Sequence, residues 1–423
     1  MMTQEIKDSG VNWIDVIPTD WEIVKLKNMF SFGKGLPITK ENLTETGVPV
    51  ISYGQIHGKY NSGVRLHDEL IRYVPESYLT TNAESLVHEG DLILADTSED
   101  VEGCGNCAYI DRNGQFFAGY HTIILKADVP KNNKYIAYLM QTDPWRSQIR
   151  SKVSGVKVFS ISRRIISDAT IILPPYDEQH RIVLYLDQMC AEIDSVIADT
   201  QRTIEEYKKL KQTIITEAVT KGIRGERPMK DSGIQGIGDI PEEWNTVGLK
   251  ILCRMQSGKN ITSEMIADEG AYPVYGGNGL RGYYSEYNTE GEYLLVGRQG
   301  ALCGNVHHVA GQFWATEHAV VTTPTMLADI DFLYYLLIGM NLNQYANNTA
   351  AQPGLAVGQI QNVRTCFVPL AEQQEIASYL NKKCAEIEKL IAGKTHLLEE
   401  LESYKKSVIY EYVTGKKEVP ACQ

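Results

Sequence analysis

Four short stretches carry residue types that could do covalent or metal chemistry, and none keeps the spacing that chemistry needs. Leu173, Pro174, Pro175 and Tyr176 form the tail of the motif with which amino-methyltransferases hold a target amino group. A leucine, however, stands where that motif needs the carboxylate or amide of Asp or Asn. Gly393, Lys394 and Thr395 resemble the end of a phosphate-cradling loop, but the loop's first glycine would fall at Glu388. Cys104 and Cys107 make one CxxC without a second pair, which reads as a turn with buried thiols rather than a zinc site. Asp96, Glu99, Asp100 and Glu102 have the charge to attract a divalent cation. A similar segment later in the chain has Gly297, Arg298, Gln299 and Gly300 instead, so the acidic run reads as a solvated loop. No catalytic residue, metal ligand or cofactor is assigned.

Side chains suited to a polyanion are better represented. Arg146, Arg150, Lys152, Lys157, Arg163 and Arg164 fall within nineteen residues that contain no acid, a stripe that suits phosphates. The corresponding stretch from Asn341 to Arg364 is rich in Asn and Gln, which address phosphate or base edges without charge. Base readers are expected in glycine-punctuated loops. Lys34 and Lys259 occupy what reads as a shared Gly-Lys position. Gln55, His57 and Lys59 come after a Tyr-Gly step, and Asn278 and Arg281 come after what reads as the equivalent step at Tyr275 and Gly276. Arg298 and Gln299 complete the set, because arginine pairs bidentately with guanine and glutamine with adenine. His121 and His318 match across the two halves and read as structural histidines beside apolar strands. The net charge of −12 opposes a general affinity for nucleic acid, so local charge has to decide.

An internal repeat must position these residues. Lys7 to Trp21 reads KDSGVNWIDVIPTDW, and Lys230 to Trp244 reads KDSGIQGIGDIPEEW. GDLILADTSEDVEGCGNCAYI from Gly90 matches GEYLLVGRQGALCGNVHHV from Gly291, and YIAYLM from Tyr135 matches FLYYLL from Phe332. Gly155 to Val158 reads as the counterpart of Gly354 to Val357. Each half then ends in a long heptad helix. In the first, Ile193, Ile197, Ile204, Tyr207, Ile214 and Ala218 mark the seam, with Thr200 and Lys211 between them. In the second, the seam is Ile387, Ile391, Leu398, Leu401, Val408 and Tyr412, with Lys394 and Lys405 as polar positions. Gaps that alternate four and three bury a narrow stripe against one partner helix, and each rod is about 60 Å long by helix rise. The chain divides by pattern into 1–173, 174–225 (first helix), 226–367 and 368–423 (second helix). The N-terminal stretch MMTQEIKDSG lacks a signal peptide's apolar core, no run has the length of a membrane span, and eight scattered cysteines suit a reducing compartment. A cytoplasmic location is expected.

With IPTDW and IPEEW, DEQHRI and AEQQEI, EAVTKG and EYVTGK, GRQGALCGN and QPGLAVGQI, the chain resembles the specificity subunits of type I restriction and modification systems over essentially its full length. The resemblance implies an α+β fold: two mixed α/β target-recognition domains, separated by two long antiparallel coiled-coil helices in a pseudo-twofold internal repeat. Each domain would read half of a bipartite, asymmetric double-stranded DNA target. Two methyltransferase subunits, and restriction subunits with translocase activity, would supply the chemistry. Two alternatives stay open here: the specificity partner of a related two-subunit restriction enzyme, and a structural coiled-coil adaptor. The purified chain alone is expected neither to methylate nor to cleave DNA. Tritium transfer from S-adenosylmethionine to DNA above a no-protein blank would overturn that expectation.

Overall fold

A computed structural model describes residues 5–127, 133–300, 303–346 and 354–420. The first four residues, positions 301–302 of the GRQGALCGN string, positions 347–353 of the Asn/Gln-rich stretch, and Cys422 lie outside the described residues. The chain forms two compact units, residues 1–199 with 397–423 and residues 200–396. They cut across the segments expected from sequence, because each unit takes part of both long helices, Tyr176–Lys221 and Leu370–Val413.

Within each unit the two helix portions run antiparallel. In the first unit Tyr185 packs against Tyr412 with the rings tilted and their centroids 4.5 Å apart, and Lys405 reaches Asp194 at 2.6 Å. In the second, Lys211 reaches Glu388 at 2.5 Å and Arg224, just past the helix, holds Glu375 at 2.9 Å. All the seam positions are buried or half-buried, the apolar ones and Thr200, Lys211, Lys394 and Lys405 alike. Lys211 and Lys405 keep their seam places because each stem covers apolar surface while the ammonium meets a carboxylate at the rim.

The repeated Trp and Glu-Gln motifs fasten each domain to its helices. Trp21 donates its indole N–H to Glu178 and Trp244 donates to Glu372, both at 3.0 Å. Gln179 and Gln373 each donate at 2.8 Å to the carbonyl five residues earlier, of Pro174 and Val368 respectively. Those bonds satisfy backbone acceptors where a strand turns into a helix that cannot yet use them. Tyr138 donates to Asp187 at 2.7 Å, and its counterpart Tyr335 donates to Asn381 at 2.8 Å. A two-stranded antiparallel pair closes each domain at its base: Glu22–Lys25 with Thr170–Leu173, and Asn245–Gly248 with Arg364–Phe367.

Above these pairs the sheets differ. The second unit has one six-stranded sheet, in the order Cys253–Ser257, Ala319–Pro324, Thr289–Gly297, Val306–Ala315, Tyr272–Gly276, Gly279–Tyr284. Its strand Val306–Ala315 pairs antiparallel along one edge and parallel to Tyr272–Gly276 along the other. In the first unit the same path is broken into Cys107–Tyr109 and Phe116–Ala118. Cys107–Tyr109 extends the sheet formed by Phe30–Lys34, Thr122–Ala127 and Leu92–Ala95. Phe116–Ala118 belongs to a second four-stranded sheet, where it runs parallel to Val48–Ile51. The break gives the first domain two small cores in addition to the one it shares with the helices.

Candidate nucleic-acid interface

At one edge of each domain three turns meet where strands leave the sheet, and the backbone there is the same in both copies. Gly35 donates to Thr122 and Gly258 to Ala319, at 3.1 and 3.0 Å. Asp96 donates to the carbonyl of His121 and Arg298 to that of His318, both at 3.0 Å. Ile161 donates to the Asp96 carbonyl at 2.8 Å and Leu355 to the Arg298 carbonyl at 2.9 Å; Gly119 donates to Ile51 at 2.7 Å and Thr316 to Tyr275 at 2.9 Å. Matching bonds of this kind define which residues are equivalent, independently of side-chain identity.

Three sequence-based equivalences are corrected by them. Gly258 matches Gly35, so Lys34 stands where Ser257 does and Lys259 where Leu36 does. Lys34 and Lys259 are both exposed, but they are not one shared position. Ile51 stands where Tyr275 does, so the Tyr53-Gly54 step is two residues beyond Tyr275-Gly276. The chain path beyond that point differs too, a helical turn at Tyr53–Ile56 against a two-residue hairpin turn between Tyr272–Gly276 and Gly279–Tyr284. Leu355 matches Ile161, not Val156. The loop around Gly155 is therefore not the counterpart of Gly354 to Val357, and it leaves Val156 95% exposed while Leu355 is buried.

The expected contact residues separate into two groups. Gln55 accepts from the Ser52 N–H at 3.1 Å, while His57 contacts the Thr97 carbonyl at 2.9 Å and Asn106 at 3.0 Å. Arg146 donates to the Met140 carbonyl and to Gln141, and burial lowers its pKa. Arg150 ties Asp143 to the Glu102 carbonyl. These four side chains are occupied inside the first domain, so the stripe from Arg146 to Arg164 is not one continuous basic face. Helical periodicity turned Arg146 and Arg150 inward, beside buried Trp145 and Ile149. Lys34, Lys59, Lys152, Lys157, Arg163, Arg164, Lys259, Asn278, Arg281 and Gln299 are exposed. Arg163 lies 5.6 Å over the ring of Phe32, which shares a strand face with Lys34. Asn278 sits in the hairpin turn and accepts from Asn305 at 3.3 Å; Lys59 lies 4.7 Å over Tyr60.

Sequence patterns did not mark the aromatic rim of the first domain. Tyr53 meets Tyr120, His121 and His57 edge-on at 5.6, 5.3 and 6.2 Å. His121 is no core residue. It has φ 55°, its side chain is 57% exposed, and its Nδ1 stands 3.2 Å from Asp96. Its counterpart His318 is 39% exposed beside Glu317. The signal available in sequence was the bulky pair Tyr120-His121 at a strand start with no apolar partner pattern.

Cys104 and Cys107 are buried thiols. Cys104 donates to the Asp100 carbonyl and Cys107 accepts from Gln141; burial pushes the Cys107 thiol up to about 11. Among the described residues no cluster of three or more His, Cys, Asp or Glu side chains could hold a metal, and no helix is long and apolar enough to cross a membrane.

The family described as the type I restriction modification DNA specificity domain matches residues 18–206 and 241–401. The specificity subunit of the type I restriction enzyme EcoprrI from Escherichia coli is 48% identical over 136 residues, which cover 31% of this chain and 33% of that subunit. The MjaVIII specificity subunit from Methanocaldococcus jannaschii is 23% identical over 433 aligned positions, covering 95% and 93% of the two chains. A chain from a structure of a type I R-M system, titled for complex assembly and conformational transition, superposes with a TM-score of 0.69 at 17% identity. It covers 95% of this chain and 99% of that one, a likeness of fold.

Proposed function

The chain belongs to the type I restriction modification DNA specificity family, and from that premise we propose that it is the non-catalytic DNA-reading subunit of such a complex. Each domain reads one half of a bipartite, asymmetric duplex target. Two methyltransferase subunits, and restriction subunits with translocase activity, assemble on it in the cytoplasm and carry the chemistry.

One observation carries this reading: a single backbone frame, held by four matching hydrogen bonds, occurs twice in the chain with different side chains on its rim. Two like frames suit two half-sites, as twofold readers suit palindromes, and unlike rims make the half-sites unlike. The exposed lysines and arginines around the first frame supply sequence-independent affinity for phosphates, and rim side chains supply the reading of bases.

The test is a domain exchange. Residues 28–165 lie between the strands Glu22–Lys25 and Thr170–Leu173, so their replacement by the same region of a relative leaves the basal strand pair intact. With methyltransferase subunits present, sequencing of methylated sites is expected to show one half-site replaced and the other kept. Replacement of both halves would overturn the two-reader assignment.

A further inference from the structure

Several positions repeat in both backbone and chemistry across the two domains. Trp21 and Trp244 each donate to a glutamate, Tyr138 and Tyr335 each donate to a side chain of a long helix, and Gly35 and Gly258 are pinched against carbonyls. Structural needs have thus been met the same way twice. One rim position behaves in the opposite manner. Asp96 and Arg298 share the backbone bonds to His121 and His318 and from Ile161 and Leu355, yet one carries a carboxylate, an acceptor, and the other a guanidinium, a donor.

Both side chains are held in place without serving the core. Asp96, 26% exposed, accepts from the Thr97 hydroxyl at 2.7 Å and faces His121. Arg298 is half-buried and donates from Nη1 to the Ser257 hydroxyl at 3.0 Å; its Nε is buried with no partner among the described residues. A side chain fixed before binding loses little freedom on docking, which suits a base reader more than a mobile phosphate contact. The surroundings fit the same use: Lys34 and Ser257 at the end of the strand next but one in each sheet, Gln299 next to Arg298 in the chain, and Asn278 on the hairpin turn.

The geometry points to this charge-inverted position as a specificity determinant in both domains, with Arg298 reading guanine and Asp96 reading an exocyclic amino group, cytosine N4 in the major groove. This assignment rests on the DNA-reading function proposed above and adds which atoms do the reading. The guanidinium fork matches the O6 and N7 acceptors of guanine, and a carboxylate matches an amino donor and repels guanine's acceptors. Because the two copies differ in sign here, this one position makes the half-sites unlike.

Three variants test it, each assembled as full chain with methyltransferase subunits and presented with a randomised duplex library whose methylated products are sequenced. Arg298→Gln is expected to alter one base pair only, trading guanine for adenine there with about a ten- to hundredfold change in relative preference. Asp96→Asn is expected to alter one base pair in the other half-site. Arg298→Lys should keep guanine with weaker discrimination, and thermal midpoints near that of the parent show that each variant folds. Parental base preferences in folded Arg298→Gln and Asp96→Asn would overturn the assignment. So would a loss equal for all sequences with a shallower salt dependence, which marks a phosphate contact. A parental chain that selects no sequence would instead remove the DNA-reading function itself, so the two failures are distinguishable.

Discussion

Glu372→Ala is expected to destabilise the second unit by about 3 kcal/mol or more, and the matched Glu178→Ala to cost the first unit about 1–2 kcal/mol. The asymmetry arises from what each carboxylate holds. Glu372 is 2% exposed and accepts from the Trp244 indole at 3.0 Å and from Arg227 at 2.7 Å, with Arg224 at 3.9 Å. Arg227 also lies 5.0 Å over the Trp244 ring. Deleting the carboxylate leaves a buried indole N–H without its acceptor and takes the buried partner from a guanidinium that is itself only 11% exposed. Glu243 remains to Arg227, but at 49% exposure its pull is screened. Glu178 is half-buried and accepts from the Trp21 indole; the arginine near it, Arg181, is exposed, and among the described residues no buried arginine matches Arg227 there, so less is lost. Glu372→Gln should fall between, since an amide oxygen still accepts from the indole while the ion pair is gone. Urea titration of the full chain measures all three; equal losses for the two alanine variants would mean that the arginine adds nothing.

Gly35→Ala is expected to cost about 3 kcal/mol or more and to silence the first half-site. A Cβ at this position would lie 1.9 Å from the Gly119 carbonyl oxygen and 2.2 Å from the Thr122 hydroxyl. Neither can retreat freely, because Gly119 and Thr122 belong to the turn whose hydrogen bonds form the frame. Overpacking against movable side chains typically costs about 1–3 kcal/mol, and here backbone would have to move instead. Gly258→Ala should do the same in the second unit, with carbonyl oxygens of Ala315 and Thr316 at 2.3 and 2.4 Å. Gly33→Ala is the control: its Cβ would meet only the Ile124 side chain, at 3.3 Å, and a change under about 1 kcal/mol is expected. Thermal midpoints of the three variants decide it; a Gly35→Ala protein as stable as Gly33→Ala would refute the clash.

The long helices and their seam could be read from sequence because they rest on a pattern local to one segment; the Trp and Glu-Gln motifs were legible as repeats, but the indole bonds they make, Trp21 to Glu178 and Trp244 to Glu372, join residues far apart in the chain and were not. Heptad gaps survive any uncertainty about what lies elsewhere. The rim of the variable domains was less legible, for a specific reason. Gly-Lys, Tyr-Gly and Gly-x-x-Val are short identities, and matching them placed Lys34 with Lys259, Tyr53 with Tyr275, and Val156 with Leu355. Hydrogen-bond register, which joins residues far apart in the chain, moves the first two pairings by two positions and the third by five. Composition also hid the fate of Arg146 and Arg150: a run without acids looks like a basic surface, but helical periodicity beside Trp145 and Ile149 turns two of its arginines onto internal carbonyls. Asp96 and Arg298 each stand out in the sequence, yet only the shared backbone bonds make them one position.

The division of both long helices between the units bears on how the protein is made. The second unit is continuous, residues 200–396, and every partner it needs has been synthesised once that stretch has emerged. The first unit is not: the Tyr135 hydroxyl donates to the Val413 carbonyl at 2.8 Å, 278 residues along, and Trp21 and Pro18 close around Gly415. On the ribosome, the earlier-encoded of the two units therefore waits longer for its last contacts, with Tyr185 lacking Tyr412 and Tyr135 lacking the Val413 carbonyl until residues 397–420 arrive. Closing so long a loop is costly and slow compared with local contacts. An order of assembly in which the later-encoded unit sets first and the earlier-encoded one is sealed by residues 397–420 is thus written into the topology, and a nascent chain stalled before residue 397 would expose apolar surface to chaperones.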